Sequence, residues 1–265
     1  MAQGLINFLE SSKRFILIKK MKLNNLLLIA MQNIKIHYIN SIFGFLWIPL
    51  SFLILIFIKT YLFSDILNLK VGRYIPHLVT GLLFWSFLSN SITKNLNIFF
   101  NNNMILNLNI KPIEFFKISY LESIFLITLN SLVLFLFFVF SKIEINFIYL
   151  IIAVFILSLF AYELNKVISI LFLILRDVVF LISSSLILIF FLTPIIWEAS
   201  MLSEQNLYYL QFNPFYHLVE VFRSIIFGFF SLNVHFQITI TIYFLLKLIN
   251  ILITNKIISK INLYS

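Results

Sequence analysis

Residues 116–140 read FKISYLESIFLITLNSLVLFLFFVF, and from Ser123 onward no charge interrupts the run. About 20 apolar residues wound as an α-helix, at roughly 1.5 Å each, cross the ~30 Å hydrocarbon core of a bilayer. A barrel strand would alternate apolar and polar positions over about ten residues, and this stretch does not. Comparable runs occur at 42–62, 75–93, 147–172, 178–197 and 234–254. The sequence therefore predicts an all-α membrane protein of about six transmembrane helices. Glu163 and Lys166 interrupt the fourth run, which then resumes to Leu175.

Composition agrees. The 265 residues are 62% hydrophobic and 11% charged, with a mean hydropathy of +1.05. Soluble domains are about 45–50% apolar and about 25% charged, so lipid is the solvent that accommodates the surplus. The abundance of Phe, Ile, Asn and Lys fits an AT-rich genome, which chooses the apolar residue but does not gather such residues into spans. Cysteine is absent, which excludes disulfides, thiolate metal sites and cysteine nucleophiles. The net charge of +9 flanks apolar runs instead of forming a basic domain, so it sets membrane topology and does not imply nucleic acid.

Basic residues also give the orientation. Lys13, Arg14, Lys19, Lys20 and Lys22 break up the amino-terminal segment, which carries no cleavable signal pattern. With that end inside, the cytoplasmic segments also hold Lys35, Lys94, Lys111, Lys117, Lys166, Arg176, Lys256 and Lys260. The opposite side holds Lys70, Arg73, Lys142 and Arg223. The positive-inside rule thus predicts both termini of a multi-pass membrane protein in the cytoplasm. The chain divides into an amino-terminal part (1–41), a helical bundle (42–254) and a tail (255–265), together one transmembrane domain.

Three segments do not cross. Residues 21–38 have helical periodicity, with Leu23, Leu26, Leu27, Ala30, Met31, Ile34 and Tyr38 on one face, and predict an amphipathic interfacial helix. It is either an anchor or a gate and docking element. Residues 94–115 form a polar cytoplasmic loop in which Asn102, Asn103, Ile105, Leu106, Asn107 and Lys111 are candidates for docking a soluble partner. Residues 198–233, between the fifth and sixth spans, are too polar to cross and too apolar for plain loop. They predict a re-entrant or interfacial helix pair broken at Asn213-Pro214, with Pro214 opening the second helix.

Catalytic patterns are scarce. Of the four histidines only His217 has a carboxylate at helical spacing, Glu220, and this pair reads as a metal site or an interfacial hydrogen bond. No metal or other cofactor is expected in this chain. The five glycines are scattered, so no phosphate-cradling loop exists. Glu122, Glu163 and Lys166 lie within spans, where a charge costs at least about 2.5–3.5 kcal/mol. Either Lys166 neutralises Glu163 or Glu122, or the three form a proton relay or line a pore. Trp197 fits an interfacial aromatic belt. Trp47 and Trp85, with Phe84 and Tyr38, are candidates for lining a path, where flat rings suit the faces of sugars.

Four segments together resemble the integral membrane subunit of type-2 ABC exporters, in the branch that moves lipid-linked O-antigen, capsule or teichoic acid. They are Lys35–Leu50 with Tyr38, Ser41, Gly44, Trp47 and Pro49-Leu50; Tyr74–Phe87 with Gly81-Leu-Leu-Phe-Trp85; Arg176-Asp177 followed by Thr193-Pro194; and Asn213-Pro214 with Arg223 and Gly228. The pattern departs at Ile42 and Phe43 and at Glu163 and Lys166. The resemblance implies a homodimer of this subunit with two copies of a cytoplasmic ABC ATPase that binds the ATP and Mg. It implies that the 94–115 loop and the amino-terminal helix meet that ATPase, and that 198–233, with Asn213, Pro214 and Arg223, forms an outer gate. Arg176 and Asp177 would cap a cytoplasmic turn. Membrane lipid and a lipid-linked glycan complete the implied partners. A permease for a drug, lipid or small glycolipid, and a membrane enzyme acting on lipid-linked sugars, are the alternatives.

Overall fold

A computed structural model describes residues 23–66, 71–100, 112–174, 177–228 and 234–262. Among them there are only helices. They are α1 (Leu23–Tyr38), α2 (Trp47–Ile66), α3 (Val71–Phe100), α4 (Pro112–Phe140), α5 (Phe147–Ile174), α6 (Val178–Leu192), α7 (Glu204–Leu210), α8 (Pro214–Ile226) and α9 (Val234–Asn262), with short 3-10 turns at Gly44–Leu46 and Ala199–Met201.

Four helical stretches are long and apolar enough to cross a membrane: Gly44–Ile66, Phe116–Phe140, Phe147–Leu171 and Val234–Ile253. They match the first, third, fourth and sixth expected spans. The second falls within the 30-residue α3, where Arg73, His77, Thr80, Asn90 and Lys94 dilute the apolar character. The fifth is shorter than expected. It ends at Leu192 after 15 residues, about 22 Å at 1.5 Å each. The cause is local: a residue preceding proline is biased away from the helical region, and Thr193 is extended, with φ −99° and ψ 135°. The sixth helix continues past 254 to Asn262.

Helix α3 is central, packing against α2, α4, α5, α6 and α8. Tyr74, Leu78, Val79, Leu83, Phe84 and Leu88 are all fully enclosed. Its carboxy-terminal half meets α5 through side-chain amides and hydroxyls. Asn95 Nδ2 donates to Ser169 Oγ (2.9 Å) and to the Asn165 carbonyl (3.0 Å), while Asn165 Nδ2 donates to Ser91 Oγ (3.0 Å). Lipid tails are as apolar as the core, so helices in a bilayer gain little by burying leucine against leucine. Polar bonds of this kind contribute about 0.6 kcal/mol each on average and fix which helix faces which.

The amphipathic α1 buries a narrower stripe than the periodicity suggests. Leu26, Ala30 and Ile34 pack inward, the first two against Ile118 of α4, whereas Leu23, Leu27 and Met31 stay exposed. Between 198 and 228 two short helices are divided at Asn213-Pro214, and Pro214 occupies the first turn of the second. Gly228 follows with φ +73°, a left-handed conformation that ends α8 without steric cost only when no side chain is present.

Candidate outer junction and lateral groove

After Thr193, whose N–H makes the last helical bond of α6 to Ile189 O (2.9 Å), the chain runs irregularly through 194–196, buried among the helices. Irregular backbone inside a membrane protein is tolerated where the protein satisfies its polar groups. That happens here carbonyl by carbonyl. Arg223 Nη2 donates to the Pro194 carbonyl (2.9 Å), the Tyr74 hydroxyl to Ile196 (2.6 Å), and His77 Nε2 lies 2.9 Å from the Trp197 oxygen.

The open end of α6 is closed in the same way. A helix leaves its last carbonyls without partners. Asn213 Nδ2 donates to the Leu192 carbonyl (3.1 Å) and to Thr193 Oγ1 (3.1 Å), and Trp197 Nε1 donates to Phe191 O (3.0 Å). The oxygen of the same Asn213 amide accepts from Phe215 N–H (2.9 Å), capping α8. One asparagine thus seals one helix end and starts another.

Arg223 holds the centre. Its side chain is 7% exposed; Nη1 pairs with Glu220 (2.7 Å) and Nη2 also donates to the His77 carbonyl (3.1 Å). His77 Nε2 is nearer the Trp197 oxygen (2.9 Å) than Arg223 Nη2 (3.2 Å), which assigns the ring proton to Nε2 as donor to that oxygen. Burial pulls the Arg223 guanidinium below its ordinary pKa and the Glu220 carboxylate pushes it back up. Burial also raises the Tyr216 phenol, as does Glu220.

This packing explains Gly81. A Cβ there would stand 2.7 Å from Arg223 Nη2 and 2.9 Å from the Ile195 carbonyl oxygen. The first could yield only by breaking the guanidinium's bonds, and the second is backbone. Gly81→Ala is therefore expected to destabilise the chain by about 1–3 kcal/mol, the usual range for overpacking. Thermal unfolding of the solubilised protein measures this, and an unchanged midpoint would mean that the 193–197 segment yields freely.

A second feature lies midway along α3. A groove of about 370 Å³ lies between α2, α3 and α6, lined by Lys59, Trp85, Ser89, Thr93, Ser183 and Phe190 among others. The Trp85 and Phe190 rings are 5.5 Å apart, and Lys59 Nζ sits 4.7 Å above the Phe190 ring. A cation–π contact contributes about 0.5–2 kcal/mol. The cost of a lysine at membrane depth is about 2.5–3.5 kcal/mol or more, so the ring does not offset it alone. The sequence reading passed over Lys59, although it is the one charge between Lys35 and Asp65.

The other expected path residues are placed differently. Phe84 is fully enclosed against Phe222 and faces the core, not a groove. Trp47 is 40% exposed and meets Phe43 edge to face at 5.5 Å. Tyr38 lines a separate cleft of about 540 Å³ with Asn90, Lys94 and Asn130.

The intramembrane charges pair otherwise than the sequence suggested. Glu122 bonds Lys94 (2.9 Å) and Asn33 Nδ2 (2.8 Å), which links α4 to α3 and α1. Glu163 accepts from Asn250 Nδ2 of α9. Lys166 pairs with neither carboxylate, because helix packing brings other donors closer. His217 likewise turns from Glu220 to His235 Nδ1 (2.9 Å) and the Gln211 carbonyl (2.8 Å). No cluster of three metal-ligating side chains occurs among the described residues. Asp177 precedes α6, but its carboxylate makes no capping bond; its backbone oxygen accepts from Phe180 N–H instead (3.1 Å). Arg176 and the docking candidates Asn102, Asn103, Ile105, Leu106, Asn107 and Lys111 lie outside the described residues.

No family model matches the chain. Two curated relatives do, both O-antigen export system permease proteins RfbA of Klebsiella pneumoniae. Each is 25% identical, over 236 and 239 residues, covering 88% of this chain and 91% of the relative. The resemblance to type-2 ABC exporter permeases of the O-antigen branch holds. Gly81, Thr193-Pro194, Asn213-Pro214 and Arg223, four of the marks on which it was read, meet in the junction around 193–197. The chain is a multi-pass membrane protein by its apolar helices and by these relatives.

Proposed function

We propose that this chain is the membrane-spanning subunit of an ATP-driven exporter that moves a lipid-linked polysaccharide across the bacterial inner membrane. The observation that carries the reading is the similarity to O-antigen export permeases along nearly the whole chain. In this reading the chain crosses six times with both termini inside, α3 and α6 completing the count, and the segment containing α7 and α8 is a re-entrant outer gate. Two copies assemble with two copies of a cytoplasmic ABC ATPase, which binds the ATP and Mg. The apolar faces of α2 and α6, where Phe57, Tyr61, Phe180 and Leu188 are more than half exposed, suit a second copy of the chain. The groove between these helices, with its paired Trp85 and Phe190 rings, suits passing sugars, whose apolar faces stack on aromatic side chains.

The test is biochemical. The chain is co-expressed and purified with candidate cytoplasmic ABC ATPases of its source organism, and lipid-linked glycan is added to the complex in nanodiscs. A 2:2 assembly whose ATP hydrolysis rises with the glycan is expected. A stable monomer that binds no ATPase overturns the reading, and hydrolysis stimulated by small glycolipids alone would change the cargo.

A further inference from the structure

We propose that Lys59 is an oxyanion-binding residue in the lateral groove, so that the cargo carries a negative charge past this point. The inference rests on the transport reading and adds the chemical class that the groove recognises. Its first support is depth. Lys59 Nζ contacts Phe190, Phe190 contacts Trp85, and Trp85 is the midpoint of the 30-residue α3. A helical side chain leans toward its own amino terminus, which on α2 directs the lysine away from the nearer end at Ile66.

The second support is missing charge compensation. Among the described residues the two salt bridges are Lys94–Glu122 and Arg223–Glu220, and neither involves Lys59. An ammonium has three donors. One face rests on the Phe190 ring, and among the described residues no hydrogen bond satisfies the rest.

The third support is the chemistry of the walls. Ser89 and Thr93 follow Trp85 on α3 at successive turns, and Ser183 stands two turns before Phe190 on α6. Ser89 donates to the Trp85 carbonyl (2.7 Å), which leaves its oxygen free to accept. A cation beside an aromatic pair, with hydroxyls running toward the inner end of α3, matches an acidic carbohydrate or a sugar diphosphate. It does not match a purely hydrocarbon cargo. The oxyanion has two possible sources, the diphosphate joining a glycan to its lipid or a carboxylate on the sugars, and both present the same chemistry to the lysine.

The experiment uses the full chain in nanodiscs of neutral lipid and four probes: farnesyl diphosphate, farnesol, a glucuronate-containing tetrasaccharide and a neutral tetrasaccharide. Isothermal titration is expected to show at least one charged probe binding tenfold or more tightly than its uncharged counterpart. Lys59→Gln should lose that tenfold, whereas Lys59→Arg should stay within about threefold of the parent. Preference for the diphosphate places the anion on the lipid linkage, preference for the uronate places it on the glycan, and both uphold the proposal. Equal binding of charged and neutral probes by the parent chain overturns it without recourse to any variant. Unchanged affinity in Lys59→Gln also overturns it, including the case in which that variant instead dissociates a dimer. Deleting the chain and measuring surface glycan is the separate control: unaltered display sinks the transport reading while leaving the binding result to decide Lys59.

Discussion

Arg223→Ala is expected to unseat the outer ends of α3, α6 and α8 together, lowering unfolding free energy by about 3 kcal/mol. Removing one member of a buried, hydrogen-bonded charge pair costs roughly 3–5 kcal/mol. The lower end applies because the Glu220 side chain is 31% exposed and water can solvate it after the loss. The Pro194 carbonyl has no such recourse and would be left without its donor, whereas the His77 carbonyl keeps the Thr80 hydroxyl (3.1 Å). Arg223→Lys keeps the charge but not the planar fork that reaches three groups at once, so it should recover only part of the loss. Thermal unfolding of the solubilised chain compares the three proteins. A lysine variant as stable as the parent would show that charge alone holds the junction, and the carbonyl bonds would then carry little weight.

The neighbours Phe84 and Trp85 should separate fold from transport. Phe84→Ala removes a ring enclosed against Phe222. In lipid the transfer part of the usual cost is small, but the cavity remains, and roughly 100 Å³ at about 24 cal/mol per Å³ gives about 2 kcal/mol. Trp85→Ala opens a groove that is already open and should change stability by less than about 1 kcal/mol. It should nevertheless reduce glycan export several-fold, because the Phe190 ring loses its partner across the groove. Export in cells and thermal stability of the purified chain are measured on both variants. If Trp85→Ala lowered both in proportion, its ring would be packing and the groove would lose its standing as a path.

That contrast also marks how far the sequence reaches. The break at Asn213-Pro214 was legible from local chemistry and occurs there, whereas the fifth span was read through Thr193-Pro194 to 197 although the same bias against helix before proline ends it at Leu192. Which aromatic faces the core is a different matter. Adjacent residues on a helix point about 100° apart, and α3 has neighbours on most of its circumference, so Phe84 and Trp85 look alike until packing is known. Charge pairing was misjudged for the same reason. Glu163 and Lys166 suggested each other at i, i+3, yet Asn250 and Lys94 arrive from other helices and claim the carboxylates. Arg223 stood out only through the resemblance, and its role in holding the carbonyls of the 193–197 segment depends on Gly81, 142 positions away in the chain, having no side chain.

Helix α3 touches every one of these places. It carries Gly81 and His77 at the junction, Trp85 at the groove, and Lys94 and Asn95 at the inner network. Thirty residues wound as a helix make a shaft of about 45 Å, and Pro76, the residue able to bend it, lies outward of all these contacts. A shaft cannot be tilted at one end without sweeping the other. Leverage at the Lys94 end would therefore swing Gly81 beneath the Arg223 clamp and shear Trp85 past Phe190 in a single stroke, with no relay of side chains needed between the two ends of the helix.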